Sequence, residues 1–181
     1  MRLALYVLPA LYCLQDSRHQ CRLRHVLNSV MSSQPKCIYL DVCALCRPFD
    51  DQRQARIRLE TTSVELILSY VRKKKIKMIV SPIHDAEIAA TADREERSQL
   101  MFLLQQLGVL STPDLQVVQQ RAERLTAQGM GVADAAHLAF AEQSRAEFVT
   151  VDDRLIRMCR RIKPTVWCGT PLAYCEKEEL K

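Results

Sequence analysis

Short apolar runs that alternate with stretches of helical periodicity constrain this chain more than any other feature. Lys36–Val42 (KCIYLDV) is apolar and rich in strand formers, broken only by Asp41 near its end. Lys77–Val80 (KMIV), Glu147–Val151 (EFVTV) and Thr165–Trp167 read as further strands. Between them, Gln54–Arg72 carries Ile57, Val64, Ile67, Leu68 and Val71 at helical spacing. Ser81-Pro82 reads as an N-cap followed by a first helical proline. Helices are predicted over Arg94–Leu107, Pro113–Gln128, Gly131–Ser144 and Asp152–Arg161, with VLS after Gly108 as a brief extended piece. Strands joined through helices cannot pair as hairpins. They imply a mainly parallel sheet covered on both faces, a three-layer α/β/α arrangement.

At 181 residues, 48% of them hydrophobic, the chain suits one globular domain. The net charge of +5 permits a polyanionic partner without demanding one. It is uneven, since Arg2, Arg18, Arg22 and Arg24 face only Asp16 among residues 1–30. The apolar stretch LALYVLPALYCL is too short to span a bilayer, and no small-x-small cleavage pattern follows it. Residues 1–30 therefore read as an appendage, with Met31 as an alternative start and 31–175 as the domain; an export signal is the rival reading. The expectation is a cytoplasmic protein with no membrane association. Its eight cysteines read as small core residues, because Cys43-Ala-Leu-Cys46 has no second pair at zinc-ribbon spacing.

Ligands of an open parallel sheet bind beyond the carboxyl ends of its strands. Asp41 falls at the first strand's end, Glu87 on the helix after the second, and Asp152 at the exit of EFVTV. Asp134 opens the alanine-rich helix and can face the same space. Taken singly, Asp134 and Asp152 are also ordinary first-turn anions, and Glu87 an ordinary surface acid. Asp41 is different: it interrupts an apolar run, so its carboxylate must be paired, metal-bound or protonated. Four carboxylates converging would repel one another and raise their pKa values, until a divalent cation supplied positive charge. All-oxygen donors suit Mg²⁺ or Mn²⁺ rather than zinc, and the chemistry such an ion supports is phosphodiester hydrolysis.

These residues also carry a resemblance. Ile38-Tyr-Leu-Asp41-Val-Cys43, then Glu87, then Gly131-Val-Ala-Asp134-Ala-Ala-His137-Leu-Ala139, then Phe148-Val-Thr150-Val-Asp152-Asp153-Arg154-Leu155 together resemble the PIN domain, most of all its VapC-like prokaryotic branch. The resemblance covers about residues 36–170. It implies that Asp41, Glu87, Asp134 and Asp152 bind the metal, with Asp153 as an auxiliary acid and Thr150 as an orienting hydroxyl. It implies Mg²⁺ or Mn²⁺, cleavage of single-stranded RNA, a homodimer and, for toxin members, an antitoxin partner. Cys43 departs from the family's usual Ser, Thr or Asn, and a thiol is a weak hydrogen-bonder. That departure favours the alternative of a catalytically weak PIN scaffold that binds RNA or protein.

Arg47, Arg154 and Arg157 are candidate RNA contacts, with a solvated surface as the plain alternative. His137 reads as a packed helix residue with a ligand or base role as its rival, and His84 as exposed. With aromatics at only 6%, broad single-strand binding by base stacking is unsupported. A phosphatase of the haloacid-dehalogenase type needs a second Asp where Cys43 stands.

Overall fold

A computed structural model describes residues 35–181; the expectation for residues 1–30 lies outside that span. Five strands form one sheet in the order β3-β2-β1-β4-β5, and every pairing is parallel. They are β1 (Lys36–Leu40), β2 (Ile76–Val80), β3 (Gly108–Leu110), β4 (Glu147–Val149) and β5 (Cys168–Gly169). Eight helices are described: α1 (Val42–Leu45), α2 (Ala55–Arg72), α3 (Pro82–Ala89), α4 (Arg94–Leu107), α5 (Leu115–Ala127), α6 (Val132–Gln143), α7 (Asp153–Ile162) and α8 (Pro171–Lys177). A 3₁₀ turn covers Arg47–Phe49.

The alternation along β1 builds the layers. Successive side chains of a strand point to opposite faces. Ile38 and Leu40 join Met78, Val80 and the buried stripe Val64, Ile67, Leu68 and Val71 of α2 on one face, with Leu100 and Leu104 of α4. Tyr39, Ile79 and Phe148 face the other way, onto Val118 and Leu125 of α5, Leu138 and Ala139 of α6, and Leu155 and Cys159 of α7. Burying each such large apolar side chain contributes about 1.5–3 kcal/mol. The sheet is thus covered on both sides, as the periodicity implied.

Several boundaries differ from the sequence reading for local reasons. β1 ends at Leu40 rather than Val42, because Asp41 turns the chain and its carbonyl accepts from Ala44 and Leu45 N–H. The last strand is Cys168–Gly169, not Thr165–Trp167; β5 is only two residues long and has little apolar signature. α8 was not expected. Its Tyr174 and Cys175 complete the core beside α2. Gly108 starts β3, since a Cβ there would meet the Leu104 carbonyl at 2.5 Å and a Val80 methyl at 2.7 Å.

From β1 the chain moves to β2 and β3 on one side and later to β4 and β5 on the other. Strand order therefore reverses between β1 and β4. Such a switch point opens a crevice beyond the carboxyl ends of the two strands.

Candidate metal centre

Asp41 stands in that crevice, at the exit of β1, and is only 6% exposed. Its N–H continues the sheet by donating to Val149 of β4 at 2.9 Å. Its carboxylate makes no capping bond to α1, which leaves it free for side-chain partners. Oδ2 accepts the Thr150 hydroxyl at 2.8 Å and the Cys43 thiol at 2.9 Å. Thr150 is fully buried just past β4, and its Oγ1 in turn accepts the Asp152 N–H at 3.1 Å. Burial, with the charge of Asp41 adding to it, pushes the Cys43 pKa far up, so the side chain remains a protonated donor. Cys43 thus fills the place of the hydroxyl that the resemblance leads one to expect.

Glu87 reaches the crevice from the last turn of α3, half-buried, while the neighbouring Asp85 is exposed. Its Oε2 is 3.1 Å from Nε2 of His137 on α6. That same nitrogen is 3.9 Å from Asp41 Oδ1. Asp41, Glu87 and His137 each offer a donor atom within 4.8 Å of the others. The hydrogen bond from His137 holds the Glu87 carboxyl below its ordinary range, against the opposing effect of burial.

Asp134, in the first turn of α6, is half-buried beside this trio. Burial raises its pKa, and the charges of Asp41, Asp152 and Glu87 raise it further; His137 works the other way. A Cβ on Gly131 would come within 2.9 Å of Asp134 Oδ2, so the glycine leaves room for that carboxylate. Asp152 is exposed and caps α7, its Oδ1 accepting the Arg154 and Leu155 N–H groups at 2.6 and 3.1 Å. Asp41 and Glu87 therefore meet closely, Asp134 acts on them through its charge, and Asp152 lies at the rim.

The remaining candidates separate. Asp153 turns to the Arg56 guanidinium, at 2.7 and 2.9 Å, and that bond lowers its pKa. Arg47 is half-buried and held by Glu60 and Asp50. Arg154 and Arg157 are exposed on α7.

Of the two histidines, only His84 departs from its expected place. His137 is indeed packed, at 1% exposure, yet its ring also reaches both carboxylates. His84 is buried rather than exposed: Nε2–H donates to the Leu40 carbonyl at 2.8 Å, and Nδ1 accepts the Ser81 N–H at 3.1 Å. The available signal was spacing, since His137 follows Asp134 by three positions on one helix face.

The donor set fits a divalent cation. Two donors each about 2.1 Å from one ion lie at most about 4.2 Å apart. The 3.1 and 3.9 Å separations of His137 Nε2 from Glu87 and Asp41 satisfy this limit, and the third pair lies within 4.8 Å.

The PIN domain family model matches residues 38–161. No curated protein gives a significant match. Among solved structures, FitAcB from Neisseria gonorrhoeae aligns at 19% identity and TM-score 0.46, covering 74% of this chain and 97% of that one. VapBC2 from Rickettsia felis, bound to a DNA fragment from their promoter, aligns at 14% identity and TM-score 0.48, covering 74% of this chain and 98% of that one. These structural similarities are too distant to bear on activity or partners. The family match covers two thirds of the sequence and spans every carboxylate around the crevice, and on that ground the chain belongs to the PIN domain family.

Proposed function

We propose that this protein is a Mg²⁺- or Mn²⁺-dependent endoribonuclease. The observation that carries the reading is the meeting of Asp41, Glu87 and His137 donor atoms within 4.8 Å, at the sheet's switch point. Asp41 and Glu87 would hold the cation from two sides, with Asp134 adding negative charge and Asp152 closing the rim. When bound, a divalent cation offsets charge on a phosphoryl oxygen and polarises an attacking water. Thr150 and Cys43 fix the Asp41 carboxylate, leaving Oδ1 directed at the other donors. Arg154 and Arg157, exposed on α7 beside the rim, would receive the phosphates of a single strand.

The resemblance to the VapC-like branch extends this reading to a toxin with a small antitoxin partner, acting as a homodimer in the cytoplasm. Among the described residues no helix is long and apolar enough to cross a membrane.

The second reading is a PIN scaffold with weak metal affinity, favoured by the engagement of Glu87 with His137. Cleavage of a fluorescent single-stranded RNA separates the two. Activity that requires Mg²⁺ or Mn²⁺, stops in EDTA, and disappears in Asp41→Asn, Asp134→Asn and Asp152→Asn variants of retained fold supports the nuclease. Full activity in all three variants rejects it.

A further inference from the structure

Behind the carboxylates, four buried side chains form one hydrogen-bonded line. His137 Nδ1 is 2.7 Å from Tyr39 Oη, Tyr39 Oη is 2.6 Å from Ser81 Oγ, and Ser81 Oγ is 3.4 Å from His84 Nδ1. All four are at most 1% exposed. Their rings pack together, with Tyr39 centred 4.6 Å from His84 and 5.6 Å from His137. Nothing in the proposed reaction uses this line.

We infer that His137 is a metal ligand through Nε2, with Tyr39, Ser81 and His84 setting its tautomer, so that the site selects a transition cation over Mg²⁺. The inference rests on the metal-dependent reading above and names the class of ion. A histidine ligates through an unprotonated nitrogen, so its proton must lie on the other one and find an acceptor there. Tyr39 Oη is that acceptor for Nδ1–H. Tyr39 can pass its own hydrogen to Ser81 Oγ, and Ser81 its hydrogen to His84 Nδ1. His84 Nδ1 is unprotonated, because its proton is committed on Nε2 to the Leu40 carbonyl, and its one lone pair is shared between the Ser81 N–H at 3.1 Å and this hydroxyl at 3.4 Å. In the opposite sense the hydrogens run from Ser81 to Tyr39 to His137 Nδ1, and Nε2–H donates to Glu87. Reversing two hydroxyl hydrogens and moving the imidazole proton between its nitrogens interconverts the two states without moving a heavy atom. The donor set then becomes carboxylate, carboxylate and imidazole. Imidazole is a poor match for Mg²⁺, which prefers oxygen and keeps its water; it suits Fe²⁺, Ni²⁺, Cu²⁺ and Zn²⁺ best, and Mn²⁺, the weakest of the series, sets the most demanding test of the preference.

Mn²⁺ is the probe that tests this. The full chain is stripped with chelator, loaded with Mn²⁺ and examined by pulsed electron paramagnetic resonance. The expected result is a ¹⁴N coupling from imidazole that changes to the ¹⁵N pattern when histidine is ¹⁵N-labelled. Mg²⁺ should displace the ion only in more than tenfold excess. His137→Gln should remove the nitrogen coupling and cut the preference for Mn²⁺ over Mg²⁺ at least tenfold. Tyr39→Phe should weaken Mn²⁺ binding by about 10–100-fold, the usual cost of losing the partner behind a ligand. Bound Mn²⁺ with no histidine nitrogen coupling overturns the inference while leaving the metal-dependent nuclease intact. Absence of Mn²⁺ binding in the wild type overturns both. Absence of the coupling in the labelled wild type overturns the inference even if the variants do not fold.

Discussion

The Thr150 hydroxyl donates to Asp41 Oδ2 at 2.8 Å, tying the exit of β4 to the exit of β1 across the switch point. Thr150→Val keeps the shape but removes this donor, and it also takes away the acceptor of the Asp152 N–H. A buried group left unsatisfied costs about 1–3 kcal/mol. Urea unfolding should show a loss in that range for Thr150→Val, with most of it recovered in Thr150→Ser.

Asp134 makes the opposite prediction. Its raised pKa means that the folded state holds the carboxyl proton more tightly than the unfolded chain does. Metal-free stability is therefore full below the unfolded carboxylate pKa and declines as pH rises through the folded value. Asp134→Asn should stabilise the chelator-treated protein at pH 7, because it removes a charge that burial, Asp41, Asp152 and Glu87 all disfavour. It should also lose most of the thermal shift that added Mn²⁺ produces. Differential scanning fluorimetry with and without Mn²⁺ measures both.

Acid sensitivity should arise at His84. Burial, assisted by the neighbouring His137, lowers its pKa to about 4. The unfolded chain takes up a proton near pH 6.5, so the His84 contribution is complete above that pH and is lost as pH falls toward about 4. The full span corresponds to about 3 kcal/mol, an order-of-magnitude figure. His84→Gln offers a donor and an acceptor without titrating. In EDTA, wild-type urea midpoints should fall more steeply between pH 6.5 and 4.5 than those of the variant; parallel profiles would remove His84 as the cause.

Two arginines of the sequence reading should separate from the third. Arg154 and Arg157 are exposed, whereas Arg47 is held by Glu60 and Asp50. Each phosphate contact on a single strand contributes about 0.7 to the slope of log affinity against log salt. Arg154→Gln with Arg157→Gln should reduce that slope by about 0.7–1.4, measured by fluorescence anisotropy with a labelled RNA in EDTA. Arg47→Gln should leave the slope unchanged and lower stability instead.

Glu142 offers a check on the fold away from the crevice. Burial would raise its pKa, but Arg121, with Thr165 N–H and hydroxyl, holds it below the ordinary value. Its stabilising contribution is present above the unfolded carboxylate pKa and lost as pH falls through the folded one. Arg121→Met leaves the buried charge with Thr165 alone, and a loss toward the lower end of about 3–5 kcal/mol is expected in urea unfolding.

The architecture was legible because apolar runs and helical periods alternate, and that alternation permits little besides a parallel sheet. β1, β2, β4 and the long helices carry enough side chains to reveal their period. β5 has two residues and α8 has seven, too few to do so. Asp41 and Glu87 were readable as converging carboxylates because the strand ends of such a sheet, and the short helix that follows one of them, share one edge. The line from His137 to His84 was not. It depends on Tyr39 and Ser81 lying side by side at 2.6 Å on neighbouring strand exits, a distance in space that no linear spacing encodes. Cys43 was legible only in part: its hydrogen-bonding weakness is general, whereas its placement 2.9 Å from Asp41 Oδ2 is particular to this crevice.

Asp41, Glu87 and His137 come from three segments separated by 46 and 50 positions (41 to 87, 87 to 137). None of them can complete the centre until the last has been synthesised and β4 has closed against β1. A nascent chain or a proteolytic fragment ending before α6 would lack a donor and bind a cation poorly. On the proposed reading, cutting power over RNA would be withheld from partly made chains, and a cation captured at the end would act as a clasp that favours the finished fold over its precursors.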